Sequence, residues 1–177
     1  MLITTSRKPS QRTRTFCRGL ERVINAQCVN RGKMSIREVF LKAKEMEFDR
    51  IVFISESDGN PSGLDIYLEN ELLLSKKITV DLSAPRGMMK KDQTVLKCDL
   101  EDFKGIASSI FDVPMENPQA KTRHNLIWIK GTQKQNKGVI EFYDTKGLLN
   151  GPRIFFNKNQ CNCHATEKNE DYKKNNN

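Results

Sequence analysis

The order of hydrophobic periodicities predicts an α/β (α+β) chain of two duplicated halves, βααβββ followed by βαβββ, and three observations carry that prediction. Short apolar or β-branched runs alternate along the chain with stretches of helical spacing. Setting Arg50 against Asn125, an offset of 75 (125 − 50), also sets Gly63 against Gly138, Tyr67 against Phe142 and Val80 against Phe155, so strands and turns fall into register together. The opening strands, marked by Thr4 and Thr94, differ instead by 90 (94 − 4), and the excess of 15 (90 − 75) matches one helix with its loop. At 177 residues, 37% hydrophobic and 29% charged, the chain is long enough to bury a core.

The elements follow in order. Residues 2–6 are largely β-branched and read as a strand, which Pro9 stops because it cannot donate to a ladder. Ser10 is placed to cap a helix in which Phe16, Leu20, Val23 and Ile24 recur on one face while Arg14, Arg18 and Arg22 follow i, i+4 spacing on the other. Residues 30–34 form a glycine-broken basic loop. Ser35 and Glu38 then make a capping box for a second helix, with Ile36, Val39, Phe40 and Ala43 as its buried stripe and an end near Glu47.

Residues 50–55 read as a buried strand, 58–63 as a turn, 64–68 as the hairpin partner and 77–82 as a further strand. In the second half a strand at 94–98 precedes an Asp99-capped helix with Leu100, Phe103, Ile106 and Ile110 on one face, ending before Pro114. Strands at 125–130, 138–143 and 153–156, with a turn at 135–138, complete that half. The expected domain spans 1–157, divided into 1–84 and 85–157. The Asn- and Lys-rich segment 158–177 carries too little apolar surface to offset its ordering entropy and reads as a disordered tail.

Charge is distributed unevenly. The chain has 30 basic and 22 acidic residues, a formal charge of +8. Residues 1–34 alone hold eight cations (Arg7, Lys8, Arg12, Arg14, Arg18, Arg22, Arg31 and Lys33) against Glu21, a surplus of +7 (8 − 1). Six of the eight are arginine, whose planar fork holds a phosphate bidentately and stacks on a base. The segment that aligns with this basic helix in the second half, Asp99-Leu-Glu-Asp-Phe-Lys-Gly, is acidic, which assigns function to the amino-terminal copy.

Other chemistries find little material. No apolar run of ~18 residues exists to span a bilayer, and the first residues lack the order of a signal peptide, so an intracellular, cytoplasmic protein is expected. Five cysteines without a Cys-x-x-Cys pair argue against a disulfide framework or a four-ligand zinc site, and Cys161, Cys163 and His164 lack a fourth ligand. With two histidines and no carboxylate pair at catalytic spacing, no enzyme, cofactor or metal is expected. Gly59-Asn-Pro-Ser-Gly63 is not followed by the Lys-Ser/Thr of a nucleotide-binding loop and reads as a hairpin turn. Phe53 and Trp128 lie within apolar runs and read as core aromatics.

The opening Ile3-Thr-Thr-Ser-Arg-Lys-Pro-Ser-Gln-Arg-Thr-Arg-Thr-Phe-Cys-Arg-Gly-Leu20 resembles the signature of the Brix/Imp family of ribosome-assembly proteins, as do Asn30-Arg-Gly-Lys33 and Gly59-Asn-Pro-Ser-Gly-Leu64. The match is to the short, single-domain archaeal form and covers positions 1–85 best. It implies a Brix domain of two halves, each like the anticodon-binding domain of class II aminoacyl-tRNA synthetases, and a role in ribosomal RNA processing through pre-rRNA binding.

Arg7, Lys8, Arg12 and Arg14 flank the strand-to-helix turn, where a phosphate would meet cations and the helix amino terminus together. Arg18 extends the ridge, and Arg31 and Lys33 flank Gly32 in a loop able to close on a backbone. A solvated basic turn is the competing reading of the first group, and a plain connecting loop of the second. The Thr4, Thr5 and Ser6 hydroxyls read as structural. The expected function is non-catalytic pre-rRNA binding. The alternative is a protein-docking module that recruits ribosomal or assembly proteins.

Overall fold

The computed structural model describes residues 1–158 apart from positions 86, 88, 118, 120–122 and 135. Cys161, Cys163, His164 and nearly all of the expected tail lie outside the described residues. β1 (Leu2–Thr5) is buried at every position, because it lies between two parallel partners, β2 (Gln27–Cys28) and β3 (Arg50–Ser57). The two-residue β2 is absent from the sequence reading: it is too short for any periodicity, and only the neighbouring strand creates it.

α1 (Gln11–Val23) starts as its sequence predicts, with the Ser10 side chain accepting from the Thr13 N–H, and it buries Phe16, Leu20 and Val23. α2 (Ile36–Glu45) keeps the predicted capping box: Glu38 N–H donates to Ser35 Oγ at 3.2 Å and Ser35 N–H donates to Glu38 Oε2 at 2.6 Å. The predicted stripe needs one correction. Ile36 is 50% exposed, since the helix rests on the sheet through Val39 and Ala43 and its capped first turn contributes no core residue.

The chain reverses between β3 and β4 (Asn60–Leu68) in two residues, Asp58 and Gly59, both at positive φ (+50° and +74°), the geometry that matches strand twist. The expected turn over 58–63 is therefore too long. Residues 60–63 belong to the ladder, and Pro61 is accommodated where the register shifts at Ser55/Glu56. β5 (Glu71–Asp81) likewise starts earlier than expected. Lys76, only 5% exposed, masks the alternation; its Nζ donates to the Asn157 carbonyl at 3.1 Å.

In the second half β6 (Thr94–Cys98) runs parallel to β7 (Asn125–Gly131), and β8 (Lys137–Tyr143) and β9 (Arg153–Asn157) continue antiparallel. Asp99 caps no helix. A 3₁₀ turn at Glu101–Phe103 leads into α3 (Lys104–Phe111), and the Asp99 carboxylate instead accepts from Trp128 Nε1 at 2.7 Å. Ala107 and Ile110 are buried on α3, with Phe103 just before it, whereas Ile106 is only partly buried. Lys158, placed in the tail by its composition, donates its N–H to the Asn136 carbonyl at 2.8 Å.

Among the described residues nine strands form one sheet in the order β2-β1-β3-β4-β5-β9-β8-β7-β6. The antiparallel pair β5–β9 joins the two sets of strands at its centre. One core cluster runs from Phe16 and Leu20 of α1 to Ala107 and Ile110 of α3 across the strands of both sets. α2 lies over the opposite face, its Val39 and Ala43 packed on Leu2 and Ile51. Side chains tie the sets further. Arg153 pairs with Asp81, while Arg50 pairs with Asp112 at 3.3 Å and donates to the Ser109 carbonyl at 2.7 Å.

Candidate nucleic-acid interface

β1, β2 and β3 are parallel, and β5 shares their direction through two antiparallel steps. The segments that leave β1 and β2, the β3–β4 turn and the end of β5 therefore lie along one edge of the sheet. Both helices of the first half begin at that edge, at Ser10 and at Ser35. It is the end of the parallel strands at which open α/β sheets hold ligands.

Arg7 and Lys8 are exposed on the segment after β1. The positive charge of Arg7 bears on Glu38, whose carboxyl is held below its usual range by the Ser35 N–H first, then the Ser35 hydroxyl, and to a lesser degree by Arg7. Lys33 is exposed on the segment after β2. Arg31 is partly buried: its Nε donates to the Met34 carbonyl at 3.1 Å, and its guanidinium stands 5.8 Å from the centre of the Phe53 ring. Between them Gly32 takes φ +53°, with open space around its Cα.

On α1, Arg12, Arg14 and Arg18 are exposed. Arg12 donates to the Val80 carbonyl at 3.3 Å, toward the middle of the sheet, while Arg18 acts electrostatically on Cys28 on the other side of the helix. The expected ridge is shorter by one residue. Arg22 is partly buried beside Gly19 and Pro152, because α1 approaches the turn before β9 there. Thr4 and Thr5 are buried, their hydroxyls donating to the Val29 and Ser6 carbonyls at 3.0 and 2.9 Å, in agreement with the structural reading.

Sequence reasoning missed Glu56. Its Oε2 accepts from the Ser10 N–H at 2.9 Å and from the Thr13 hydroxyl at 2.5 Å, and the Thr13 contact above all lowers its pKa, with a smaller contribution from Arg14. The Ser10 hydroxyl in turn donates to the Gly59 carbonyl at 2.8 Å. The amino end of α1, expected to receive a phosphate, is thus already held by a carboxylate, and like charges would compete for it. The cations around that end remain exposed. No local signal marks Glu56, which lies 46 residues from Ser10.

No family model matches the chain. Over 80 residues it is 46% identical to a probable Brix domain-containing ribosomal biogenesis protein of Methanosarcina barkeri, covering 45% of this chain and 49% of that protein. A protein of the same description from Methanothermobacter thermautotrophicus is 48% identical over 62 residues, 35% of this chain and 37% of the relative. The match spans at most about half the length of these relatives. The crystal structure of a probable ribosomal biogenesis protein from Aeropyrum pernix K1 superposes with a TM-score of 0.72 at 25% identity, covering 89% of this chain and 94% of the other. The likeness to archaeal Brix-type proteins holds in sequence and in fold. An archaeal Imp4-like protein extends it, with a TM-score of 0.69 at 25% identity and coverage of 89% and 97%.

The three Brix-like motifs of the sequence lie along one edge of the sheet, and two of them touch. Ser10 of the first contacts Gly59 of the third, and the second occupies the segment between β2 and α2 along the same edge. Among the described residues no cluster of His, Cys, Asp or Glu is placed to hold a metal ion, and no helix is long and apolar enough to cross a membrane.

Proposed function

We propose that this protein is a non-catalytic RNA-binding factor of ribosome biogenesis that holds pre-rRNA along the basic edge of its first half. The observation that supports it is convergence: two motifs separated in sequence deliver Arg7, Lys8, Arg14 and Lys33 as exposed cations to one edge, with Arg12, Arg18 and Arg31 flanking them, and the third motif supplies the turn against which Ser10 is held. The names of the archaeal relatives favour ribosome assembly as the setting. We further take the two sets of strands as copies of one unit of the anticodon-binding-domain kind, together one domain over 1–157. The mechanism is binding without covalent chemistry. Irregular or single-stranded RNA suits it best, since A-form duplexes hide their base edges in a deep groove.

Fluorescence anisotropy of labelled pre-rRNA fragments across a salt series tests the proposal. If about four cations replace counterions on single-stranded RNA, affinity falls on the order of 50-fold between 50 and 200 mM salt. The variant Arg7→Glu/Arg12→Glu/Arg14→Glu, checked for folding by circular dichroism, loses binding and lowers the log–log salt slope by about 2. Binding unchanged in that variant would remove the edge from consideration.

A further inference from the structure

The strand register sets two surfaces side by side. On the α2 face of the first half, Leu2, Ile51 and Tyr67 are paired in one cross-strand row and Phe53 lies in the next but one. In the second half the corresponding row is Val95, Leu126 and Tyr143, and Trp128 takes the place of Phe53. Apolar character is kept at all four positions. The first surface is covered by Val39, Phe40 and Ala43 of α2, with the Phe40, Phe53 and Tyr67 rings in edge contact at 5.3–6.0 Å. No described helix covers the second, which forms an open groove of about 580 Å³. Met115 and Leu148, beside groove-lining residues, are 42% and 62% exposed.

We infer that this groove is a docking site for an amphipathic helix of a partner protein, seated as α2 is seated and carrying acidic residues along its flank. The charges select the flank. Glu116 is paired with Lys97 at 3.7 Å, and the Asp144 carboxylate accepts from the N–H groups of Lys146 and Leu148 in its own turn. Arg123 and Lys146, both exposed, have no ion pair among the described residues; with Glu116 offset by Lys97 they outweigh the Asp144 carboxylate, so the charge of the described groove is positive by one (2 − 1). α2 offers the intramolecular precedent, its Glu38 lying within reach of the charge of Arg7.

Stacked RNA bases fit this surface less well, although they too are carried by anions. The Trp128 ring already has Lys130 Nζ at 3.9 Å and Lys97 Nζ at 4.7 Å from its centre, and its N–H is engaged by Asp99. Aliphatic Val95 and Leu126 beside it suit the ridge of a helix better than they suit a base, which stacks on flat rings.

Trp128 is the only tryptophan, so its emission reports the groove directly. The probe is a synthetic peptide with the sequence of residues 35–47 in which Arg37, Lys42 and Lys44 are replaced by glutamate. A cross-link on its outer face holds it helical, because helices of that length are marginal in water. The same peptide with its basic residues kept and a decauridine RNA serve as competitors. The acidic peptide is expected to shift the emission saturably to the blue. Leu126→Glu abolishes the response, and Arg123→Glu/Lys146→Glu, two surface changes that spare the fold, weakens it on the order of tenfold. RNA affinity at the basic edge stays unchanged in both variants, which separates this inference from the proposed function. No saturable response to the acidic peptide, an equal response to the basic one, or a response to the RNA alone would overturn it.

Discussion

The two halves of the sheet repeat one arrangement of strands and differ in everything laid on it. In each, a parallel pair (β1–β3 or β6–β7) is followed by two antiparallel strands. The first half is covered on both faces and carries arginines where its first strand ends; among the described residues the second is covered by a helix on one face only, and it carries Asp99, Glu101 and Asp102 where its first strand ends. Apolar strand positions are constrained by a shared core and stay similar, whereas the segments at strand ends face water and are free to diverge. The arrangement of strands therefore says little about function. The decoration says most of it.

The largest expected effect tests whether the halves are energetically one. Phe16 in the first and Phe142 in the second are both fully buried in the same cluster. Phe16→Ala and Phe142→Ala should each cost about 3–5 kcal/mol and move a single urea transition, with unchanged m-value. Two transitions, one responding to each substitution, would break the comparison into independent domains.

Next in size is the contrast in charge. Glu101→Lys/Asp102→Lys in the second half should leave pre-rRNA affinity within about twofold, against the large loss from reversing Arg7, Arg12 and Arg14, measured by the same anisotropy series. A gain as large as that loss would make RNA binding a matter of net charge alone.

A smaller contrast concerns one strand glycine in each half, Gly138 and Gly63. A Cβ on Gly138 would lie 2.4 Å from the Phe156 ring, a core group, whereas on Gly63 it would meet the Ser55 hydroxyl at 2.2 Å. Gly138→Ala should cost about 1–3 kcal/mol by thermal denaturation, since the ring has nowhere to move, and Gly63→Ala less, since the hydroxyl can rotate away.

The smallest effect lies at the seam between the halves. The Asp81 carboxyl is lowered to about 2, by the Ser83 hydroxyl first, then the Ser83 N–H and Arg153. Its folded pKa is below the unfolded value, so its contribution is present above about pH 4 and is lost as pH falls toward 2. Asp81→Asn should remove that part of the acid dependence, worth less than about 1 kcal/mol at this solvated site, as read from melting temperature against pH.

Some of this architecture could be read from the chain alone. The Ser10 cap, the Ser35–Glu38 box and the apolar face of α1 depend on residues close to one another along the chain, so local spacing is enough to reveal them. β6, β7, β8 and β9 were legible for the same reason, with small differences only at their ends. The pairing register corrects the alignment of the halves: Tyr67 corresponds to Tyr143 rather than Phe142, and Gly63 to Val139 rather than Gly138, an offset of 76 (143 − 67) where residue order suggests 75. Leu2 lies beside Ile51 and Val95 beside Leu126, an offset of 93 (95 − 2) for the first strands where composition suggests 90.

Amino-acid order alone specifies the elements, the excess of cations in the segment 1–34 and the three Brix-like motifs. Which of these meet was settled only when the chain closed on itself. Closure created β2, brought Glu56 across 43 and 46 residues to Thr13 and Ser10, drew Asp99 from a cap to Trp128, turned Arg22 into the junction and left the seat of Trp128 open. The physical reason is range: caps and periodicity act within a turn or a strand, whereas a long-range pairing depends on the fold that closes the intervening chain.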